Sequence, residues 1–510
     1  MRNMIGRRAA IGRLGSAAAG GALLGAMAET AAAAPPDQIG SWSSIHPWPD
    51  VPIHVHLLPA STPSAALVLT YGREANPATL VESGYTRSYV VNIPKNGAPL
   101  TSALLVENTT TNLFCSGHAF LPDGRLVAMG GHEGQDYYGS GAISLFEYGA
   151  TSRWTLQASA LNAGRWYPSL VALPGGEILV VGGYISGSQQ PNPLPQVWHP
   201  AGGLRNLTGA LVAAPSYPKI FALPDGTVGM VGPDPQTLFL DLAGAGKWRT
   251  GPSTAAPRRN QGIAVLYDEG QVLIAGGATR QLGAPVATAQ VLDVRSGAPA
   301  WRTVAPMRFA RKHATGTLLP DGTVLVTGGS AAAAFNDAAG AVLAPELWDP
   351  ATERWTVLAS AAMPRIYHSS ALLLPDGRVL YGGGGQPAAA NWGLNNTNVE
   401  IFSPPYLFRG ARPRVTAATA RAVLGGGITI TTPDAVTIAQ VTLVRLGSVT
   451  HTFNMNQRFH RLSFTPNAMG VVATLSSDRY RLLPGHYLLF ALNRAGVPSL
   501  GRVVRIDAPA

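Results

Sequence analysis

The sequence predicts an all-β protein: a seven-bladed kelch-type β-propeller followed by an immunoglobulin-like β-sandwich. Three observations predict it. A Leu-Pro-Asp-Gly turn, an alternating apolar run and a Gly-Gly pair recur along the chain, the closing glycines falling at 72, 130, 182, 232, 276, 328 and 382. Their intervals of 58, 52, 50, 44, 52 and 54 residues lie near the period of the kelch repeat. Beyond residue 404 the repeat stops, and short alternating runs such as Gly427-Ile428-Thr429-Ile430-Thr431 take over, the pattern of a small sandwich.

Each element follows from its residues. Arg7-Arg8, a small-residue run and Ala31-Ala32-Ala33-Ala34 read as an export signal over 1–34, with the arginine pair favouring the twin-arginine route over an ordinary secretory one. The protein is therefore expected in the periplasm or outside the cell. The propeller is expected over 40–404, its copies running Leu121 to Gly131, Leu173 to Gly183, Leu223 to Gly232, Leu266 to Gly277, Leu319 to Gly329 and Leu374 to Gly383. Leu58 to Gly72 is a degenerate first copy. Pro-Asp-Gly makes the tight turn, and Gly-Gly lets backbones approach closely. Trp154, Trp198, Trp248, Trp301 and Trp355 each lie downstream of a closing glycine. The prolines of Ile401-Phe402-Ser403-Pro404-Pro405 interrupt pairing and mark the start of the second domain, 405–510.

Composition narrows the function classes. Charged residues are only 13% and the apolar fraction is 46%, so the chain folds rather than staying disordered. Of the net charge of +10, four arginines (Arg2, Arg7, Arg8, Arg13) belong to the leader, and the rest form no basic run; no nucleic-acid partner is expected. Past the leader there is no apolar run of spanning length, so no membrane span is expected. The single cysteine, Cys115, forbids an intrachain disulfide and excludes a multi-thiolate metal site.

The repeat also locates a site. Leu57, Cys115, Tyr167, Tyr217, Gln261, His313 and Tyr367 each lie fifteen residues before a closing glycine. In a closed ring such positions converge on the central axis. A thiol, phenols and imidazoles gathered there suggest a redox metal site. Imidazole and phenolate together suit Cu(II). Strand alternation taken alone would point the adjacent Tyr367 and His368 apart, which is the ordinary structural reading of that dipeptide.

Four motifs carry a resemblance: Phe114-Cys115-Ser116-Gly117, Arg165-Trp166-Tyr167-Pro168-Ser169, Ile366-Tyr367-His368-Ser369-Ser370, and Val449-Thr450-His451-Thr452-Phe453-Asn454 with Gln457-Arg458. In their order and spacing the chain resembles the galactose oxidase and glyoxal oxidase family of copper radical oxidases over essentially its whole length after the leader. The Arg-Trp-Tyr-Pro wording is nearer the glyoxal oxidase side. The resemblance implies one copper ion held by Tyr167, Tyr367, His368 and His451, with a thioether joining Cys115 to Tyr167 as a radical cofactor. Tyr367 is then the axial ligand and general base. His451 must arrive on a loop of the second domain. The implied reaction oxidises a primary alcohol or hydrated aldehyde with O2 and releases H2O2. Gln261, His313, Tyr217 and Tyr184 are assigned to the substrate pocket. Galactose oxidase stacks a tryptophan on the crosslinked tyrosine from just after the next Gly-Gly. Here that stretch is Gly182-Gly183-Tyr184-Ile185-Ser186, leaving Tyr184, or an aromatic from elsewhere, to take that place. The blade-connecting loops Gln189 to Pro195 and Ala331 to Ala344 carry few charges, which argues against an anionic substrate. The competing reading is a non-catalytic propeller that binds cell-wall glycan or envelope proteins.

Overall fold

The computed structural model describes residues 34–73, 84–95, 100, 102–385 and 395–509. The expected export signal lies outside these residues apart from Ala34. The described chain is built almost entirely of strands, with only short helical turns such as Pro36–Ile39. Among the described residues no helix is long and apolar enough to cross a membrane.

Seven sheets follow the sequence repeat in chain order. The second, for example, is built on Asn112–Phe120, Leu126–Glu133, Ile143–Glu147 and Arg153–Leu156, and the third on Trp166–Ala172, Ile178–Tyr184, Gln196–His199 and Gly203–Asn206. The first strand of one sheet packs on the first strand of the next, as Asn112–Phe120 does on Trp166–Ala172. The last repeat, Ser369–Leu373, Val379–Gly383 and Asn398–Ser403, gains its fourth strand from the N-terminal segment Ser41–Trp42. A succession of sheets built on four strands, each packed on the next, is consistent with a β-propeller.

The glycine pairs have a specific cause. In the second, fifth and sixth repeats the second glycine donates its N–H to the carbonyl of an arginine in the next repeat: Gly131 to Arg165 (3.0 Å), Gly277 to Arg311 (2.8 Å) and Gly329 to Arg365 (3.0 Å). A Cβ on Gly276 would stand 2.5 Å from the Arg311 oxygen, and one on Gly328 2.6 Å from that of Arg365. Only glycine admits so close a contact, and its positive φ suits it further.

The same arginines turn their guanidinium groups inward. Arg311 is fully buried, donating to Gly328 O (3.1 Å), Ala344 O (3.0 Å) and the buried Glu346 carboxylate (2.7 Å). Arg165, Arg259 and Arg365 reach the carbonyls of Gly182, Gly276 and Gly383 in the same way. Removing one partner of a buried pair strands the other charge in low dielectric. Arg311→Ala is therefore expected to cost about 3–5 kcal/mol, read as a lower urea midpoint. A cost below about 1 kcal/mol, the range of exposed pairs, would refute this account.

The C-terminal segment forms two sheets. One runs Ala417–Ala418, Gly427–Thr431, Gly470–Thr474, Phe464–Asn467, and the other Arg421–Val423, Arg502–Asp507, Gly485–Asn493, Ile438–Arg445, Phe459–Leu462. They share a core of Ile428, Ile430, Val441, Leu443, Val471, Leu489 and Ile506, as a β-sandwich does. One piece of this region leaves it. The hairpin Ser448–Thr450 and Phe453–Asn454 adds itself to the first propeller sheet, pairing Val449 with Val55 and Ser448 with His56.

Candidate metal centre

The tip of that hairpin is His451-Thr452, both with positive φ (45° and 71°), the backbone of a tight two-residue turn normally filled by Asn-Gly. A β-branched threonine there is strained. It is held by Lys219, which donates from Nζ to Thr452 Oγ1 (3.1 Å) and lies 4.6 Å from the Phe453 ring centre. Burial lowers the Lys219 pKa to about 7.

Positive φ also marks the repeat position read from the sequence. Cys115, Tyr167, Tyr217, Gln261 and His313 all adopt it, at 63°, 66°, 45°, 51° and 62°. Neighbours bond directly, Tyr217 N to Tyr167 O (2.8 Å) and His313 N to Gln261 O (2.9 Å). In the last repeat the residue in this conformation is His368 (φ 68°) and not Tyr367. The ladder agrees: Ser116 pairs with Gly130, Pro168 with Gly182, and Ser369 with Gly383. The register is thus one residue later than the spacing from Gly382 implies, and Tyr367 is an extra residue before it. Leu57 departs too: it lies within the first sheet, in the hydrophobic core. From that strand His54 approaches the centre instead, accepting the Cys115 N–H at 3.1 Å.

Four side chains converge on one cavity of about 360 Å³, lined by Tyr167, Tyr367, His368 and His451. The Tyr167 and Tyr367 hydroxyls are in hydrogen-bond contact. Ring centres lie 4.7 Å apart for Tyr167–His451, 4.6 Å for His368–His451 and 3.8 Å for Tyr367–His368. The last pair stacks, against the expectation from strand alternation. The strand begins only at Ser369, and the left-handed turn at His368 brings both rings to one side. Cys115 is fully buried within the same core as Tyr167.

Each imidazole engages Nδ1 and turns Nε2 elsewhere. His368 Nδ1 donates to Gly385 O (2.8 Å), and His451 Nδ1 shares a hydrogen bond with Thr450 Oγ1 (2.6 Å). His451 Nε2 is buried with no hydrogen-bond partner among the described residues. Burial lowers the His368 pKa to about 3 and that of His451 well below its usual value, so both rings are neutral. Burial raises Tyr167 and Tyr367 well above the normal phenol range, with the nearby Cys115 adding to it. A dication would reverse that preference and favour phenolate. Two neutral imidazoles and two phenols, one imidazole nitrogen buried without a partner, are a donor set that fits Cu(II).

Gln261, His313, Tyr217 and Tyr184 all line the cavity. Tyr184 does not stack on Tyr167. Trp166 does, at 3.8 Å between centres and 11° between planes, with Tyr184 6.1 Å beyond it. The Trp166 indole N–H is fixed by His132 Nδ1 at 3.2 Å, a histidine that burial keeps neutral. The cavity also contains charge that the loops alone did not reveal: Arg73, Lys219 and Arg258 against Asp136. Arg73 pairs with Asp136 at 3.3 Å. The argument against an anionic substrate from loop composition therefore loses its footing.

The family model for the glyoxal oxidase N-terminus matches residues 100–406, and that for the galactose oxidase-like early set domain matches 412–506. Galactose oxidase of Gibberella zeae is 29% identical over 504 residues, covering 93% of this chain and 71% of that protein. The aldehyde oxidase GLOX of Vitis pseudoreticulata is 27% identical over 447 residues, covering 78% and 82%. A fungal alcohol oxidase of the AA5 family, solved in complex with copper, superposes with a TM-score of 0.81 at 26% identity, covering 92% of this chain and all of that one. With its sheets, its second domain and the residues of its central cavity in these relations, the chain belongs to the galactose oxidase and glyoxal oxidase family of copper radical oxidases.

Proposed function

We propose that the protein is an exported mononuclear copper radical oxidase acting on a primary alcohol or a small hydrated aldehyde. In this reading the seven sheets close into a seven-bladed propeller over 40–404, and the sandwich of 405–510 supplies His451. The leader carries the chain out of the cytoplasm. The observation that carries the reading is the convergence of Tyr167, Tyr367, His368 and His451, from separate sequence segments, on one cavity. The reaction is RCH2OH + O2 giving RCHO + H2O2, or RCH(OH)2 + O2 giving RCOOH + H2O2.

Copper, when bound by these four residues, supplies a one-electron acceptor and a charge that favours phenolate. Alcohol oxidation removes two electrons, so Tyr167, joined to Cys115 by a thioether, holds the second oxidising equivalent. The hydrogen bonds of His368 and His451 at Nδ1 fix the ring orientations and present Nε2. Tyr367 Oη accepts the substrate hydroxyl proton, provided the substrate lies within hydrogen-bond reach. His313 stands edge-on to Tyr367 at 5.3 Å. Gln261 Oε1, buried without a partner among the described residues, is available to accept from a second substrate hydroxyl. Phe114, Phe335 and Trp166 give the cavity an apolar stretch of wall.

The test is the intact mass of copper-treated protein followed by peptide mapping. A two-hydrogen deficit and a peptide joining Cys115 to Tyr167 are expected; unlinked peptides after aerobic copper loading would refute the radical reading. The link also depends on how closely the two strands approach. A Cβ on Gly117 would strike Leu170 Cδ1 and stand 2.8 Å from Pro168 O. Gly117→Ala is expected to cost about 1–3 kcal/mol and to lower the crosslinked fraction seen by mapping.

A further inference from the structure

The rings around Tyr167 continue outward. Trp166 stacks on it at 3.8 Å. Tyr137 in turn contacts Trp166, with centres 4.8 Å apart and planes at 58°. Tyr137 is 36% exposed, whereas Tyr167 is 8% exposed and Trp166 6%. It sits on the short strand Gln135–Gly139 that folds back on Leu126–Glu133 through an irregular register. Its backbone has a φ of 73°, a costly conformation for a bulky residue that persists where the surroundings or function demand it. The mechanism above gives Tyr137 no task. Its ring nonetheless completes an unbroken aromatic path from a buried phenol to solvent.

We infer that Trp166 and Tyr137, which both line the cavity with Tyr137 at its exposed rim, form a one-electron relay, through which an oxidant held at that rim generates the radical on Tyr167 without touching it. The inference rests on the reading of Tyr167 as the radical residue. Such a route is needed because an unoxidised Tyr167 leaves the site one equivalent short of a two-electron reaction. Tyr and Trp are the side chains in this path that an outer-sphere oxidant can oxidise; phenylalanine is not. The step balances with hexachloroiridate(IV), an outer-sphere oxidant strong enough to oxidise a phenol. Hexachloroiridate(IV) takes one electron at Tyr137 and leaves as hexachloroiridate(III), while the Tyr137 phenol proton passes to water. Tyr137 then regains an electron from Trp166 and a proton from water, and Trp166 takes its electron from Tyr167. The net change is one electron lost by the Tyr167 phenolate and one hexachloroiridate(III) formed.

The experiment uses the full copper-loaded chain, first shown by peptide mapping to carry the thioether. Hexachloroiridate(IV) is mixed in a stopped-flow instrument, and phenoxyl absorbance is followed in wild type, Tyr137→Phe and Tyr137→Trp. The readout is radical formation and not turnover. Tyr137→Phe keeps the ring and the shape of the rim but removes its redox function, and is expected to slow radical formation by about tenfold. Tyr137→Trp restores a redox-active ring and is expected to restore the rate. An unchanged rate in Tyr137→Phe overturns the relay, as does equal slowing in both variants, which would make Tyr137 a matter of shape alone. Absence of both thioether and radical in the wild type would instead overturn the assignment of Tyr167, and the relay with it.

Discussion

Tyr167→Phe is expected to abolish oxidase activity, by about 10⁴-fold or more, because residues that act as one unit fail together. The substitution removes only the hydroxyl. The ring, its stack on Trp166 and the Tyr217 ring 4.5 Å away all remain, so the fold should hold. Three functions disappear together. In the proposed reading copper loses a phenolate donor, the second oxidising equivalent loses its carrier, and the ring loses the electron density that would let it couple to Cys115. Peptide mapping should therefore return Cys115 as a free thiol and no mass deficit. Tyr367 cannot substitute. Its hydroxyl already meets that of Tyr167, but it is stacked on His368 and belongs to a different strand connection from Cys115. Peroxide production within tenfold of wild type would show that the radical resides elsewhere.

What was legible in the sequence, and what was not, divides along one physical line. Spacing found the repeat position because the inter-repeat bonds of the glycine pairs fix it, and the ring of Cys115, Tyr167, Tyr217, Gln261 and His313 follows. Spacing failed in the last repeat. There Gly382, Gly383, Gly384 and Gly385 run consecutively, and four glycines offer several registers. The pairing of Ser369 with Gly383 chooses the later one. The rule of strand alternation also failed twice, for one reason. It holds only for extended residues, and Tyr167 and His368 are left-handed. Each therefore lies beside its preceding neighbour, giving the Trp166–Tyr167 and Tyr367–His368 stacks, both at 3.8 Å. The stacking tryptophan was thus present in the Arg165-Trp166-Tyr167-Pro168 motif. Its role was hidden by a backbone angle and not by distance in sequence. Lys219 and Arg73 are different. No local signal in the sequence brings them to the cavity, because their approach depends on how remote repeats close around it.

His451→Ala tests the junction between the two domains. Replacing an outer-shell partner of a metal ligand typically costs 10–100-fold in affinity, so loss of a ligand should weaken copper binding by more than about 100-fold. The measurement is competitive titration with a chelator of known affinity. The fold should survive, because His451 contributes its ring to the cavity while the hairpin is held by other contacts. Val449 pairs with Val55 and Asn454, Ser448 Oγ bonds both His56 Nδ1 (2.8 Å) and His118 Nδ1 (2.6 Å), and Lys219 holds Thr452. Urea unfolding of the metal-free variant should therefore resemble that of the metal-free wild type. The two should separate once copper is present, since a ligand that binds only the native state stabilises it in proportion to the logarithm of its concentration over Kd. Copper affinity equal to wild type would remove His451 from the donor set. It would also leave the hairpin from the second domain as a purely structural clasp on the first sheet. Weakened affinity with unchanged metal-free stability would mean that the second domain is joined to the seven repeats for what its loop delivers to the cavity, the one proposed ligand that no repeat provides.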